Sequence, residues 1–128
     1  MKPNVIGLFT EHQRSDTTGA GGNPCGLTPN FDRVAFTGTY ASTAVTPQPV
    51  CGPARAVLQT GKYATCTGNY RNAIPLGRDQ RTMAHYFHDA GYDTAYIGKW
   101  HLASGRHEVQ KEERGGYDWW LGANALEA

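Results

Sequence analysis

The sequence predicts an α/β fold in which a mixed β-sheet is flanked by short helices. Residues 4–10 form a short apolar run with β-branched members, which is typical of a buried strand. Residues 79–90 carry apolar side chains at helical spacing, and residues 93–98 then have the composition of a second strand. A helix that leads directly into a strand is typical of α/β folds.

A short helix is predicted to begin at Pro29. Threonine is a favoured N-cap, and proline is well tolerated at the first helical position, so Thr28 and Pro29 together mark a start. Phe31, Val34 and Ala35 then give this helix one apolar side. That side is expected to be buried.

The stretch from residue 47 to residue 61 has the strongest local signals. It follows a run of β-forming residues, 39–45, which predicts a strand. Pro53 is suited to the first position of a helix, and Gly61 supplies a left-handed end. These signals predict a short helix with Cys51 at its N-terminal mouth.

Cys51 is therefore placed where a helix terminus favours an anionic or reactive group. A helix N-terminus offers N–H groups and a partial positive charge, which attract anions. Arg55 follows four residues later, about one helical turn, so its guanidinium can fold back toward Cys51. On spacing alone, a structural cysteine before a helix remains the alternative interpretation.

Composition narrows the range of partners. The net charge of +1 gives no indication of a nucleic-acid surface, and no apolar run is long enough for a membrane helix. We therefore expect neither a nucleic-acid nor a membrane partner. The three cysteines are an odd number, and the first residues lack the pattern of a signal peptide. Both observations favour a reducing, cytoplasmic location.

Two motifs resemble those of a known enzyme family. Residues 51–61 read CGPARAVLQTG, which closely resembles the Cys-x-Pro-x-Arg…Thr-Gly signature of the type I sulfatases, members of the alkaline phosphatase superfamily. Residues 91–102 read GYDTAYIGKWHL and resemble the second sulfatase signature. The two motifs stand in the family's order, and the similarity extends from about Pro3 to about Leu126.

The resemblance implies a mechanism and a set of catalytic residues. Cys51 would be converted to 3-oxoalanine (formylglycine) by a formylglycine-generating enzyme, and its hydrate would attack the sulfur of a small-molecule sulfate ester. The second hydroxyl of the hydrate would then expel sulfate. Arg55 and Lys99 would stabilise the diol and the sulfate, and His101 would assist proton transfer. An extended chain from 99 to 101 would place Lys99 and His101 on one face, with Trp100 packed behind.

The resemblance also implies a metal site. Glu11 and His12 occupy the position of a ligand pair that is commonly Asp-Asp or Asp-Gln in the family. With the residue 51 oxygen they would hold Ca²⁺ or another divalent cation. Histidine nitrogen suits Zn²⁺ or other transition metals better than Ca²⁺. An ordinary polar loop is the alternative.

Sulfatases are several times longer than 128 residues. The resemblance therefore implies that residues 1–128 are the N-terminal part of a sulfatase domain, with a partial sheet and impaired activity. Because an incomplete sheet has open edges, self-association is expected. A phosphate or phosphonate ester hydrolase of the same superfamily and a non-catalytic sulfatase remnant are the alternative functions.

Overall fold

A computed structural model describes residues 2–106 and 108–125, which fall into two compact units divided between residues 44 and 45. The first unit contains a 3₁₀ turn (Ser15–Thr17) and helix α1 (Pro29–Thr37). The second contains α2 (Cys51–Thr60), α3 (Ala64–Thr67), α4 (Met83–Asp89), β1 (Ala95–Lys99), a 3₁₀ turn (Lys111–Glu113) and β2 (Trp119–Ala123). The α/β class is confirmed. None of the helices in the described ranges has the length and apolarity needed to cross a bilayer.

Helix α1 begins at Pro29 as predicted, but its environment differs from the prediction. Thr28 makes no side-chain capping bond; its hydroxyl instead donates to the carboxylate of Asp32 at 3.1 Å. None of the α1 residues is buried, and Phe31 and Val34 are 49% and 60% exposed. The prediction that one side of α1 is buried is wrong, because the described part of this unit contains no second layer against which the helix could pack.

Neither of the first two predicted strands forms. Residues 4–10 and 39–45 have no regular secondary structure, and Ile6 and Leu8 are 90% and 92% exposed. A strand is stable only beside a hydrogen-bonded neighbour, and a fully apolar one also needs cover on both faces. The local pattern supplies the apolar side chains but neither the neighbour nor the cover.

Helix α2 ends where the sequence predicts and starts earlier. Gly61 has a left-handed φ of 67°, and its N–H donates to the Val57 carbonyl at 2.8 Å. The helix begins at Cys51, so Pro53 is its third residue and not its first. Pro53 still lies within the first turn, where a backbone N–H has no intrahelical partner to lose.

Strands β1 and β2 form a two-stranded parallel sheet in which Ala95 pairs with Trp119 and Lys99 with Ala123. Strand β1 was expected over residues 93–98, whereas β2 was not predicted. Trp119 is 71% exposed. It lies on the open face of the sheet, beside the similarly exposed Ile97 and Leu121.

The opposite face of the sheet carries an aromatic cluster. Tyr96 and Trp120 stack with ring centroids 5.0 Å apart, and both meet Trp100 edge-on, at 5.0 and 5.3 Å. Trp100 is 1% exposed and packs in the core with four apolar residues: Ala56, Leu102, Ala103 and Val109. Because Trp100 lies between Lys99 and His101 in the chain, this core fixes the backbone on which both residues are carried.

Asp118 connects the segments that lead into the two strands. Its carboxylate accepts hydrogen bonds from the backbone N–H and the hydroxyl of Thr94, both at 2.9 Å. His88 lies 3.5 Å from the other carboxylate oxygen. The backbone and hydroxyl bonds from Thr94, followed by His88, lower the pKa of Asp118 below its ordinary value of 3.8.

Asp118→Asn is therefore expected to lower the urea midpoint of unfolding at neutral pH. A lowered folded-state pKa gives stability that is present above the unfolded-state value and is lost as pH falls through the folded-state pKa. The difference in urea midpoint between wild type and variant should thus become smaller below pH 3.8. Asp93→Asn, at an exposed neighbouring position, is the control. A difference in midpoint that stays constant as the pH falls would contradict a stabilising role for the ionised Asp118 carboxylate.

Candidate active site

Cys51 and Lys99 come together in the second unit. Cys51 is the first residue of α2, and Lys99 is the last residue of β1. Lys99 Nζ lies 3.9 Å from Cys51 Sγ, and both residues are half-buried. The predicted nucleophile and one predicted cation, 48 residues apart in sequence, are therefore neighbours.

Arg55 takes a position that the sequence did not predict. It is 7% exposed, and its Nη1 donates to the backbone carbonyl of Lys99 at 2.5 Å. The same carbonyl accepts a hydrogen bond from the hydroxyl of Tyr96, which lies 3.4 Å from Arg55 Nη1. The guanidinium thus anchors the backbone at the end of β1.

The chain does not stay extended through His101. His101 has a left-handed φ of 60°, uncommon for a residue with a Cβ, so the predicted alternation of side chains fails after Lys99. The His101 N–H donates to the Asn124 carbonyl at 2.6 Å. The His101 carbonyl faces the start of α2, 3.5 Å from where a Cβ on Gly52 would stand. Trp100 packs behind, as predicted.

Glu11 and His12 lie in the first unit, both exposed, with His12 Nε2 3.7 Å from Glu11 Oε1. One carboxylate and one imidazole are a poor match for Ca²⁺, which takes six to eight oxygen ligands, and a better match for a transition metal. The assignment of Glu11, His12 and Cys51 as metal ligands remains a prediction.

The electrostatics around Cys51 favour an anionic group. The Lys99 ammonium lies beside the Cys51 sulfur, and the N-terminus of α2 adds partial positive charge. The Arg55 guanidinium is hydrogen-bonded to the backbone carbonyl of Lys99. None of the three cysteines, Cys25, Cys51 and Cys66, forms a disulfide. A sulfate ester carries the charge that this arrangement would attract.

Sequence reasoning missed two residues that contact this site. Tyr96 lies within the second motif, but nothing in its type or spacing indicated that it would bond to the Lys99 carbonyl. Asn72 accepts a hydrogen bond from the Gly52 N–H at 2.8 Å and lies in a segment without periodicity. The Asn72 contact joins residues 20 apart in sequence, and the Tyr96 contact, across three residues, depends on the conformation of the chain at the end of β1.

Comparisons with known proteins agree with the motifs. The family model described as Sulfatase matches residues 3–128. The chain is 40% identical over 121 residues to the Ulvan-active sulfatase of Formosa agariphila and 42% identical over 130 residues to the Uncharacterized sulfatase YidJ of Escherichia coli. These alignments cover 93% and 98% of this chain. They cover 24% and 26% of the two relatives, so the chain spans about a quarter of their length.

Solved structures give the same result. The structure of BT4656 in complex with its substrate D-glucosamine-2-N,6-O-disulfate matches with a TM-score of 0.71 and 36% identity, covering 93% of this chain and 23% of that one. A structure named for the sulfatase YidJ from Bacteroides fragilis shows the same fold, with a TM-score of 0.79, 24% identity and coverage of 94% and 34%. These names favour a sulfatase over the phosphate or phosphonate ester alternative. The chain belongs to the sulfatase family.

Proposed function

We propose that this chain carries the nucleophile part of an active site that hydrolyses sulfate esters. The observation that supports this most directly is the placement of Cys51 at the N-terminus of α2, with the Lys99 ammonium 3.9 Å from its sulfur. The relatives at 40% and 42% identity are both named as sulfatases. BT4656, at 36% identity, has a sulfated glucosamine as its substrate, which makes a sulfated sugar a reasonable substrate class here.

In this proposal Cys51 is converted to formylglycine by a formylglycine-generating enzyme. One hydroxyl of the hydrated aldehyde would attack sulfur and displace the alcohol of the ester. Deprotonation of the second hydroxyl would then expel sulfate and restore the aldehyde. Unmodified Cys51 could not complete this cycle, because a thiosulfate ester has no second hydroxyl to expel the sulfate.

The neighbouring residues have separate roles. Lys99 would hold a sulfate oxygen by a charge-assisted hydrogen bond and offset the charge that develops as the ester bond breaks. Arg55 holds the Lys99 carbonyl with Nη1, and its positive charge would stabilise the diol and the sulfate. His101 would accept and return the proton of the diol. Each role requires the group to lie within hydrogen-bond reach of position 51.

A divalent cation is part of the proposal, with Glu11 and His12 as the ligands that this chain contributes besides position 51. Such an ion would neutralise charge on the sulfate oxygens. One carboxylate and one imidazole supply only part of a coordination shell, and Ca²⁺ is not well matched by them. The identity of the cation is best examined by adding Mn²⁺, Zn²⁺ or Ca²⁺ separately.

The experiment combines maturation and turnover. After co-expression with a formylglycine-generating enzyme, peptide mass spectrometry should find an aldehyde at position 51 and intact thiols at Cys25 and Cys66, which serve as internal controls. A chimera that carries this chain in place of the matching quarter of the Ulvan-active sulfatase should then release sulfate from ulvan. Cys51→Ala should abolish that release, whereas Cys66→Ala should preserve it.

Two results would count against the proposal. An unmodified thiol at position 51 after co-expression would favour a non-catalytic remnant. Sulfate release that persists in the Cys51→Ala chimera would remove position 51 from the reaction. The isolated 128-residue chain is expected to turn over aryl sulfate little or not at all, because Glu11 and His12 leave the cation short of ligands.

A further inference from the structure

The first turn of α2 is capped from a distant part of the chain. Val50 stands at the N-cap position and contributes no side-chain hydrogen bond. The backbone N–H of Gly52 instead donates to Oδ1 of Asn72, 20 residues further along the chain, at 2.8 Å. N–H groups in the first turn have no acceptor within the helix, so this bond replaces the one that an N-cap side chain would make.

The segment that carries Asn72 is itself tied down. The side-chain amide of Asn69, which is fully buried, donates to the carbonyl of Ile74. Gln48 donates to the carbonyl of Tyr70 at 3.1 Å. Asn72 is therefore presented to α2 by a loop that is fixed on both sides.

Close approach of the two segments depends on the glycine at position 52. A Cβ at this position would stand 3.1 Å from Oδ1 of Asn72 and 3.5 Å from Oδ1 of Asn69. The contact with Asn72 is tighter than most Cβ contacts in proteins. Without a side chain at position 52, the amide oxygen of Asn72 reaches the helix backbone in ordinary hydrogen-bond geometry.

We propose that Asn72 is a positioning residue that holds Cys51 against Lys99. The Gly52 N–H belongs to the peptide group that joins residues 51 and 52, so the bond to Asn72 fixes the plane from which the Cys51 side chain projects. Without it, the first turn of α2 would fray and the distance from position 51 to the Lys99 ammonium would fluctuate. The inference rests on the proposed function only in taking position 51 as the reacting group.

A crosslinking experiment measures this geometry without requiring turnover. In a Cys25→Ser, Cys66→Ser background, Cys51 is the sole thiol, and a short haloacetyl succinimidyl ester can join it to the Lys99 amine. Asn72→Ala is expected to raise the opening equilibrium of the first turn about fivefold, as loss of a capping bond does, and so to lower the initial rate of this crosslink. Asn72→Asp keeps an acceptor oxygen and should restore the rate. Gln48→Ala, which loosens the same loop but keeps the Asn72 acceptor, should lower the rate less than Asn72→Ala does.

Amide hydrogen exchange provides the second readout. The Gly52 N–H should exchange faster in Asn72→Ala, while the Gly61 N–H, bonded to Val57 at the other end of α2, should be unaffected. Asn72 is exposed, so its truncation opens no core cavity. If Asn72→Ala does not fold, Asn72→Leu, which has a similar shape and no acceptor, takes its place.

The inference would be overturned if the acceptor-free variant crosslinks, and exchanges its Gly52 N–H, at the wild-type rates. Equal loss of crosslinking in Asn72→Ala and Asn72→Asp would also overturn it, because a capping role must be rescued by an acceptor. The proposed function fails through a different measurement, an intact thiol at position 51 after co-expression, so the two failures are distinguishable.

Discussion

Trp100→Ala is expected to lower the urea midpoint of unfolding of the second unit strongly. Trp100 is 1% exposed, packs edge-on against Tyr96 and Trp120, and has Leu102 and Val109 in the same core. Truncation of a buried aromatic residue costs about 3–5 kcal/mol, compared with a total stability of about 5–15 kcal/mol for a typical domain. Urea unfolding followed by far-ultraviolet circular dichroism measures the loss.

Trp119→Ala is the matched control, because it removes the same side chain from a position that is 71% exposed. Its unfolding midpoint should remain close to that of the wild type, as expected for surface substitutions. If the two variants unfold at the same urea concentration, then Trp100 is not the centre of this core. Loss of the Cys51–Lys99 crosslink should accompany the Trp100 substitution, because Lys99 is its immediate neighbour in the chain.

Gly115→Ala is expected to produce the second large effect. Gly115 has a left-handed φ of 61°, and a Cβ there would stand 2.7 Å from Cη2 of Trp100. The left-handed backbone costs about 1–2 kcal/mol for a residue with a Cβ. The overlap with a buried ring adds about 1–3 kcal/mol, because the core must shift to accommodate it.

Gly68→Ala separates these two contributions. Gly68 has a comparable φ of 75°, but a Cβ there would meet nothing within 4 Å. This variant should therefore show only the conformational cost, and thermal unfolding of both variants gives the steric part by difference. A Gly115→Ala protein as stable as Gly68→Ala would mean that the ring of Trp100 moves without cost.

The sequence predicts the fold best where short-range signals decide the outcome. Gly61 ends α2 because only its own φ and the last helical carbonyls are involved. Apolar spacing predicts a helix over residues 79–90, and α4 forms within that range, at Met83–Asp89. The run at residues 4–10 has equally clear β-character, yet forms no strand. A strand depends on partners from distant parts of the chain, and a local pattern does not specify them.

The candidate site also combines residues that the sequence identifies with contacts that only the fold determines. The motifs identified Cys51, Arg55, Lys99 and His101 from resemblance, and the folded chain brings the first three together around the end of β1. The bond from Arg55 to the Lys99 carbonyl could not be predicted, because it depends on where the fold places Arg55 relative to the end of β1. The cap from Asn72 to Gly52 depends on a loop path with no sequence signature.

The hydrogen bond between Arg55 and the Lys99 carbonyl affects how kinetic data on this motif should be interpreted. A loss of turnover on replacing the motif arginine is ordinarily credited to weaker binding of the transition state. Here the same substitution also removes the hydrogen bond that Arg55 donates to the backbone carbonyl of Lys99. Two defects therefore contribute to one measured rate. Only a double-mutant cycle with Tyr96→Phe, which perturbs that carbonyl without removing charge, would apportion them.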